Sequence, residues 1–285
     1  MTHMTYKKKP KFSAVMPVTY VVCALLAVLS LVPFAVMFVN ATRSTVEIQR
    51  RAFSLIPSTY FANNLKILTG YAFNPLVGLM NSFIISAGAT LCAIYFSTLT
   101  AYGLMAYSWR LRQPFFTFIM CVMMIPAQIT GVGFYHFMYQ IGMTNNLLAL
   151  ILPSIAAPAM VFFMRQYMLG ALSLEIVSSA RIDGSGEFYT FNRIVLPIMK
   201  PALATQAIFA FVTSWNNLFL PSILLTNKEN YTMPIMVSLL RGDIYRTEFG
   251  AIYLGLSMTV LPLLVIYFAL SKYIIAGIAL GSVKG

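Results

Sequence analysis

Charge is the scarcest feature of this sequence. Of 285 residues only 9% are charged and only seven are acidic, whereas 59% are hydrophobic. An ordinary soluble domain carries about a quarter charged residues. A soluble body of this size needs a polar surface that these residues cannot supply, so lipid must face much of it. Cysteine is also sparse: Cys23, Cys92 and Cys121 each lie within an apolar run, which excludes a disulfide framework and reads as buried free thiols. With only His3 and His136, no histidine-based metal centre can be assembled, and no metal site is expected. There is no G-x-x-x-x-G-K-[ST], so the chain cannot cradle nucleotide phosphates in the Walker manner, and no H-E-x-x-H or G-x-S-x-G exists to carry hydrolytic chemistry. The chain is expected not to be an enzyme.

What is present is long apolar runs and basic residues. The net charge of +12 admits a nucleic-acid partner, but no basic stripe exists beyond Lys7, Lys8, Lys9 and Lys11. Basic loops of a membrane protein explain the excess, and no nucleic acid is expected. A span needs about 20 mostly apolar residues. The charge-poor runs predict six: Ala14–Val39, Met80–Ala106, Phe115–Tyr139, Leu147–Met164, Ala202–Leu225 and Gly250–Ser271. Gly142 to Asn146 reads as the turn between the third and fourth, and Asn74-Pro75 as a break ahead of the second. The first run is too long for a signal peptide and should remain a helix. With both ends inside, the inner segments hold Lys7, Lys8, Lys9, Lys11, Arg110, Arg112, Arg165, Arg181, Arg193, Lys200, Lys272 and Lys284. These outnumber Arg43, Arg50, Arg51, Lys66, Lys228, Arg241 and Arg246 outside, which favours N-in/C-in.

The inner loop after span four carries the strongest pattern. Ser173 is placed to cap a short helix with Glu175 in its first turn, running to Ile182. Gly184 sits where a helix ends in the left-handed conformation, and Ser185 is placed to cap a second helix. On that helix Phe188, Phe191 and Val195 fall on one apolar stripe before Pro197 and Pro201 start the next span. Two short amphipathic helices joined at Asp-Gly form a cytoplasmic knob. It suits lipid headgroups or a groove on a soluble partner equally.

The pattern Glu175-x-x-x-x-Ala180-x-Ile182-Asp183-Gly184, followed by Phe191-x-x-Ile194-x-Leu196-Pro197-x-x-x-Pro201, resembles the EAA loop of ABC importer permeases. Trp215-Asn216-Asn217-Leu218-Phe219-Leu220-Pro221, Tyr231-Thr232-Met233-Pro234, Asn81-Ser82 and the terminal Gly281-Ser282-Val283-Lys284-Gly285 match in order. The resemblance covers nearly the whole chain and is closest to the smaller permease of maltose-type, carbohydrate-uptake transporters. It implies a bacterial or archaeal cytoplasmic membrane and a second homologous permease in a heterodimer. It also implies a solute-binding protein outside and a cytoplasmic ATPase dimer that binds the ATP and Mg, with no cofactor in this chain. It places Glu175, Ser178, Ser179, Ala180, Asp183, Gly184, Glu187, Phe188, Phe191 and Pro197 in ATPase coupling. Ser282, Val283 and Lys284 become tail contacts to the ATPase, unless the tail is a frayed terminus. One departure stands out: the triplet's glutamate position is Ser178 here, so docking must use Glu175, Asp183 or packing.

Within the spans Asn81, Gln128, Trp215, Asn216 and Asn217 are candidates for a solute path. Amides both donate and accept, as a hydroxyl-rich ligand requires, although interhelical bonding would use the same groups. Gly131, Gly133, Pro126 and Pro153 are placed to kink spans three and four. The expectation is therefore an all-α, six-span integral membrane protein with the type I ABC importer permease fold. An inner tail (1–13) and a first helix (14–39) lead to an outer segment (40–79). A permease core (80–272) then carries the coupling loop (170–201), and an inner tail (273–285) ends the chain. Expected cargo is a sugar, with a polyol, glycerol phosphate, amino acid or peptide as alternatives. An ion-coupled carrier fits poorly, because all seven acids lie in loops.

Overall fold

A computed structural model describes residues 15–70, 74–240 and 248–282. Its regular elements over these residues are all helices, in agreement with the all-α expectation. The chain forms two compact units, one drawn from Met1–Leu68 and Glu248–Ser257, the other from Thr69–Thr247 and Met258–Gly285.

In the first unit α1 (Val15–Asn40) is apolar along its length, and none of its span window is buried by the chain itself. Such a helix is covered by lipid or by another protein. It ends in a polar turn. Buried Arg43 donates from Nη1 to Asn40 Oδ1 (2.9 Å) and Arg51 O (2.8 Å), and from Nη2 to Glu47 O (2.9 Å). Ser44 and Glu47 form a capping box that starts α2 (Thr45–Arg50). From α3 (Phe61–Gly70), Asn64 donates to the carbonyls of Ala41 and Arg43, both at 2.9 Å. Gly250, at the start of α15 (Phe249–Ser282), lies against this turn so closely that a Cβ would meet Arg43 O and the Asn64 amide.

The second unit is built on α4 (Pro75–Ala106). Asn74 caps it and Pro75 supplies its first turn, so the helix begins five residues ahead of the expected Met80. Most of its buried positions are small, among them Gly78, Ser82, Ser86, Ala89, Thr90, Ala93, Ser97 and Ala101. That stripe lets α8 (Pro158–Ala171) and α12 (Lys200–Trp215) pack on it as close neighbours. The expected third span is broken. α5 (Arg112–Val122) and α6 (Ala127–Gln140) are separated by residues 123–126, because Pro126 cannot donate to the preceding turn. Each alone is too short to cross a core of about 30 Å. The fourth begins as α7 (Leu148–Ile151), tightens to a 3-10 turn over Leu152–Ile155 at Pro153, and resumes as α8, which ends seven residues beyond the expected Met164. Among the described residues four helices are long and apolar enough to cross a membrane, or five if the bent pair Glu187–Ile198 and Lys200–Trp215 counts as one.

The loop expected at residues 142–146 is there, with Gly142 at φ 68° and Asn145 at φ 57°. Asn145 Oδ1 accepts from the backbone N–H of Thr226 (3.1 Å) and Asn227 (2.9 Å), while Asn230 Nδ2 donates to Asn145 O (2.7 Å). These bonds tie that loop to the end of α13 (Phe219–Leu224) and to the approach of α14 (Met233–Leu239).

Candidate functional site: the knob and the cavity

α9 (Leu174–Ile182) opens on Ser173, whose Oγ accepts from Glu175 N–H at 3.2 Å. It closes on a two-bond cap in which Gly184 N–H donates to Arg181 O (3.1 Å) and Ser185 N–H to Ala180 O (2.9 Å). Gly184 takes φ 79°, the left-handed conformation that the Asp-Gly elbow demands. The second helix differs from expectation. Gly186, not Ser185, precedes α10 (Glu187–Thr190), and Ser185 Oγ instead pairs with Thr190 Oγ1 at 2.8 Å. A π-turn over Phe191–Val195 leads to α11 (Leu196–Ile198), which contains Pro197, and then an 80° bend at Met199 leads into α12.

The expected apolar stripe is split between Phe188 and Phe191, ahead of the π-turn, while Phe191 and Val195 share one face. Phe191 (1% exposed) and Val195 point inward with Val177 and Met199 into a core shared with Tyr102, Met164 and Met168. The Phe191 ring meets Tyr95 edge-on at 5.7 Å and Tyr102 at 5.6 Å. Phe188 (71% exposed) points out instead, beside Tyr189 and with Ile182 (86%). The knob therefore has a buried root and an apolar tip. Ala180 and Phe191 belong to the root, Pro197 is exposed beside the bend, and Asp183, Gly184 and Phe188 belong to the tip. Glu175, Ser178 and Ser179 are exposed on α9, with Ser178 Oγ turned back to Leu174 O at 3.0 Å.

Glu187 faces its own chain rather than outward. Its carboxylate accepts from Arg181 Nε (2.6 Å) and Nη2 (3.3 Å), from the Tyr102 hydroxyl (3.1 Å) and from the Tyr107 hydroxyl (2.5 Å). The Arg181 guanidinium also lies 5.1 Å over the Tyr107 ring. Hydrogen bonding from Arg181, then from Tyr107, holds the Glu187 carboxyl at about 2, well below the ordinary carboxylate value. Burial and the Glu187 carboxylate push the Tyr107 hydroxyl up. Sequence reasoning does not single out Arg181 or the two tyrosines as site residues. Arg181 and Glu187 lie six residues apart across the Asp-Gly elbow, a spacing that carries meaning only once the elbow's geometry is known.

Above the knob lies a cavity of about 640 Å³. On α12, Gln206, Ala210, Thr213 and Ser214 line it at helical spacing, with Asn217 just beyond the helix end, facing Ala89 and Ala93 of α4 and Met123 at the α5–α6 break. Of the five solute-path candidates only Asn217 is there. Trp215 is 2% exposed, stacked on Phe211 at 5.6 Å, and donates its indole N–H to Thr259 O at 3.1 Å, so its ring face is not open to a solute. Asn81 donates from its amide nitrogen to two loop carbonyls, Glu229 O (2.8 Å) and Tyr231 O (3.1 Å). Gln128 and Asn216 are exposed and off the cavity wall. Gln206, Thr213 and Ser214 escape the sequence reading, although their spacing from Asn217 is a readable stripe. Ser282 ends α15, with its side chain outside the described residues, as are Val283 and Lys284. Among the described residues no group of His, Cys, Asp and Glu is placed to hold a metal ion.

Apolar helices around an amide- and hydroxyl-edged cavity, with a knob turned out at one end, define a membrane transport component. The chain belongs to the family of binding-protein-dependent transport system inner membrane components, whose pattern matches residues 93–279. It is 32% identical to the arabinooligosaccharides transport system permease protein AraQ of Halalkalibacterium halodurans, over 99% of this chain and 100% of that one. It is 31% identical to the lactose transport system permease protein LacG of Rhizobium radiobacter, over 94% and 96%. A chain from the crystal structure of a bacterial ABC transporter involved in the import of the acidic polysaccharide alginate shares the fold. That match has a TM-score of 0.78 at 21% identity and covers 93% of this chain and 100% of that chain. The chain is thus a permease component of an ABC importer.

Proposed function

We propose that this permease is one of two homologous subunits that together form the translocation path of an oligosaccharide importer in a bacterial or archaeal cytoplasmic membrane. It crosses six times with both ends inside, the broken pairs α5–α6 and α12–α13 each counting as one crossing. A solute-binding protein delivers the sugar from outside. A cytoplasmic ATPase dimer, which holds the ATP and Mg, seats the knob tip of Ile182, Asp183, Gly184, Phe188 and Tyr189. Closure of the dimer moves the knob as a lever, and α12 carries the displacement to the cavity wall.

The observation that carries this reading is the knob: an exposed apolar tip on a root buried in the helical core, joined at 80° to the helix lining the cavity. Sugar as cargo is supported by relatives named for arabinooligosaccharides and lactose. A relative named for sn-glycerol-3-phosphate is 28% identical over 87% of the chain, which keeps a phosphate ester in view. Among the described residues, however, the cavity lining has amides and hydroxyls and no cation, which suits a neutral polyhydroxyl ligand. The test is uptake of radiolabelled arabinotriose by proteoliposomes holding the permease with its own partner subunits and binding protein. Uptake should require ATP and cease in Gly184→Pro, which should still insert in the membrane. Uptake without the ATPase would overturn the reading.

A further inference from the structure

We propose that Glu187 is the inward joint of the knob: a positioning residue that ties the coupling loop to the cytoplasmic end of α4 through Tyr102 and Tyr107, so that movement of the knob drags α4 with it. The proposal rests on the coupling role given above and adds a second route for force, beside the covalent one through α12.

Three elements converge on this one carboxylate. Arg181 comes from α9, Glu187 itself opens α10, Tyr102 lies in the last turns of α4, and Tyr107 follows that helix. Three of the four contacts fall on Oε2 and one on Oε1, so the carboxylate is held towards its own chain. The two halves of the cluster do different work. The Arg181–Glu187 pair joins α9 to α10 and keeps the two knob helices moving as one piece. The tyrosine hydroxyls join that piece to α4, and their rings pack on each other at 5.9 Å beside Phe191. α4 is also the helix against which α8 and α12 pack, and its Ala89 and Ala93 face the cavity. Tilting the knob thus displaces both walls of the cavity together, not α12 alone. Charge-assisted bonds suit such a joint, because they are short and directional where apolar packing would slip.

The double variant Tyr102→Phe/Tyr107→Phe isolates the joint. It keeps both rings and the Arg181–Glu187 pair and removes only the two hydroxyl donors. The experiment uses the complete transporter, with its own partner subunits, in nanodiscs. Cys23, Cys92 and Cys121 are replaced by Ser, and Ala210→Cys supplies a reporter on the cavity wall. Maleimide labelling of that reporter is timed with and without ATP plus vanadate. In the double variant the ATPase should co-purify in the usual ratio and the complex should melt cooperatively, while the nucleotide-dependent change in labelling falls at least about fivefold. A merely structural loss would instead lower assembly and leave the change intact in what assembles, which overturns the joint. Tyr107→Phe alone, at a side chain 38% exposed, gives a milder variant that should shift in the same direction. Labelling changes at the unmodified level in both variants would likewise overturn it. If Gly184→Pro also kept the full change, the coupling reading beneath it would fall as well.

Discussion

At the scale of single residues, Glu187 shows how far type and spacing can mislead. Its place beside Phe188 reads as part of an outward docking face, yet its carboxylate is held from Arg181, Tyr102 and Tyr107. A folded value of about 2 lies below the ordinary carboxylate value of 4.5. Its contribution is therefore complete above the unfolded value and is lost only as pH falls towards the folded one. The cluster should persist unchanged at about pH 5, where exposed glutamates begin to take up protons. Infrared difference spectra of wild type minus Glu187→Gln should show no protonated carboxyl band there; such a band would mean that the cluster does not hold the charge. The same limit applies to Trp215 and Asn81. Sequence identifies them as polar or amphipathic groups inside apolar runs, but their partners, Thr259, Glu229 and Tyr231, are far away along the chain. Ser173 and Gly184 are legible because caps and left-handed turns are local.

At the scale of elements, the helix ending at Asp183-Gly184 is readable for the same reason, whereas Asn74-Pro75, expected as a break, is the cap from which α4 starts, and the α5–α6 break is only hinted at by Pro126. The π-turn at Phe191–Val195 has no signal in the sequence, and the stripe that looks continuous is divided just before it, between Phe188 and Phe191. Gly250 gives an element-scale test within the first unit. A methyl there would meet a backbone carbonyl and a buried amide that is already bonded twice, and neither can rotate aside. Gly250→Ala should destabilise the protein by about 1–3 kcal/mol, as overpacking does. Differential scanning fluorimetry in detergent should show a lower melting temperature; an unchanged one would mean that α15 starts elsewhere. Gly103, with open space around its Cβ position, is the matched control and should tolerate Ala.

At the scale of the whole molecule, scarcity of charge and the length of the apolar runs are sufficient to read a polytopic membrane protein. The ordered motifs from Glu175 to Pro221 are sufficient to read its family. The number of crossings is harder. Two of the expected spans are broken helices, and hydropathy counts apolar residues without seeing where the backbone bends. The proposed topology puts the knob and both termini on one side. Its most direct test is the substitution Phe188→Cys, on the exposed knob tip, in a background lacking Cys23, Cys92 and Cys121. In whole cells the new thiol should resist a membrane-impermeant maleimide. In the assembled transporter it should crosslink to the ATPase subunit. Labelling from outside the cell, or a complex in which the thiol at position 188 never reaches the ATPase, would contradict the account.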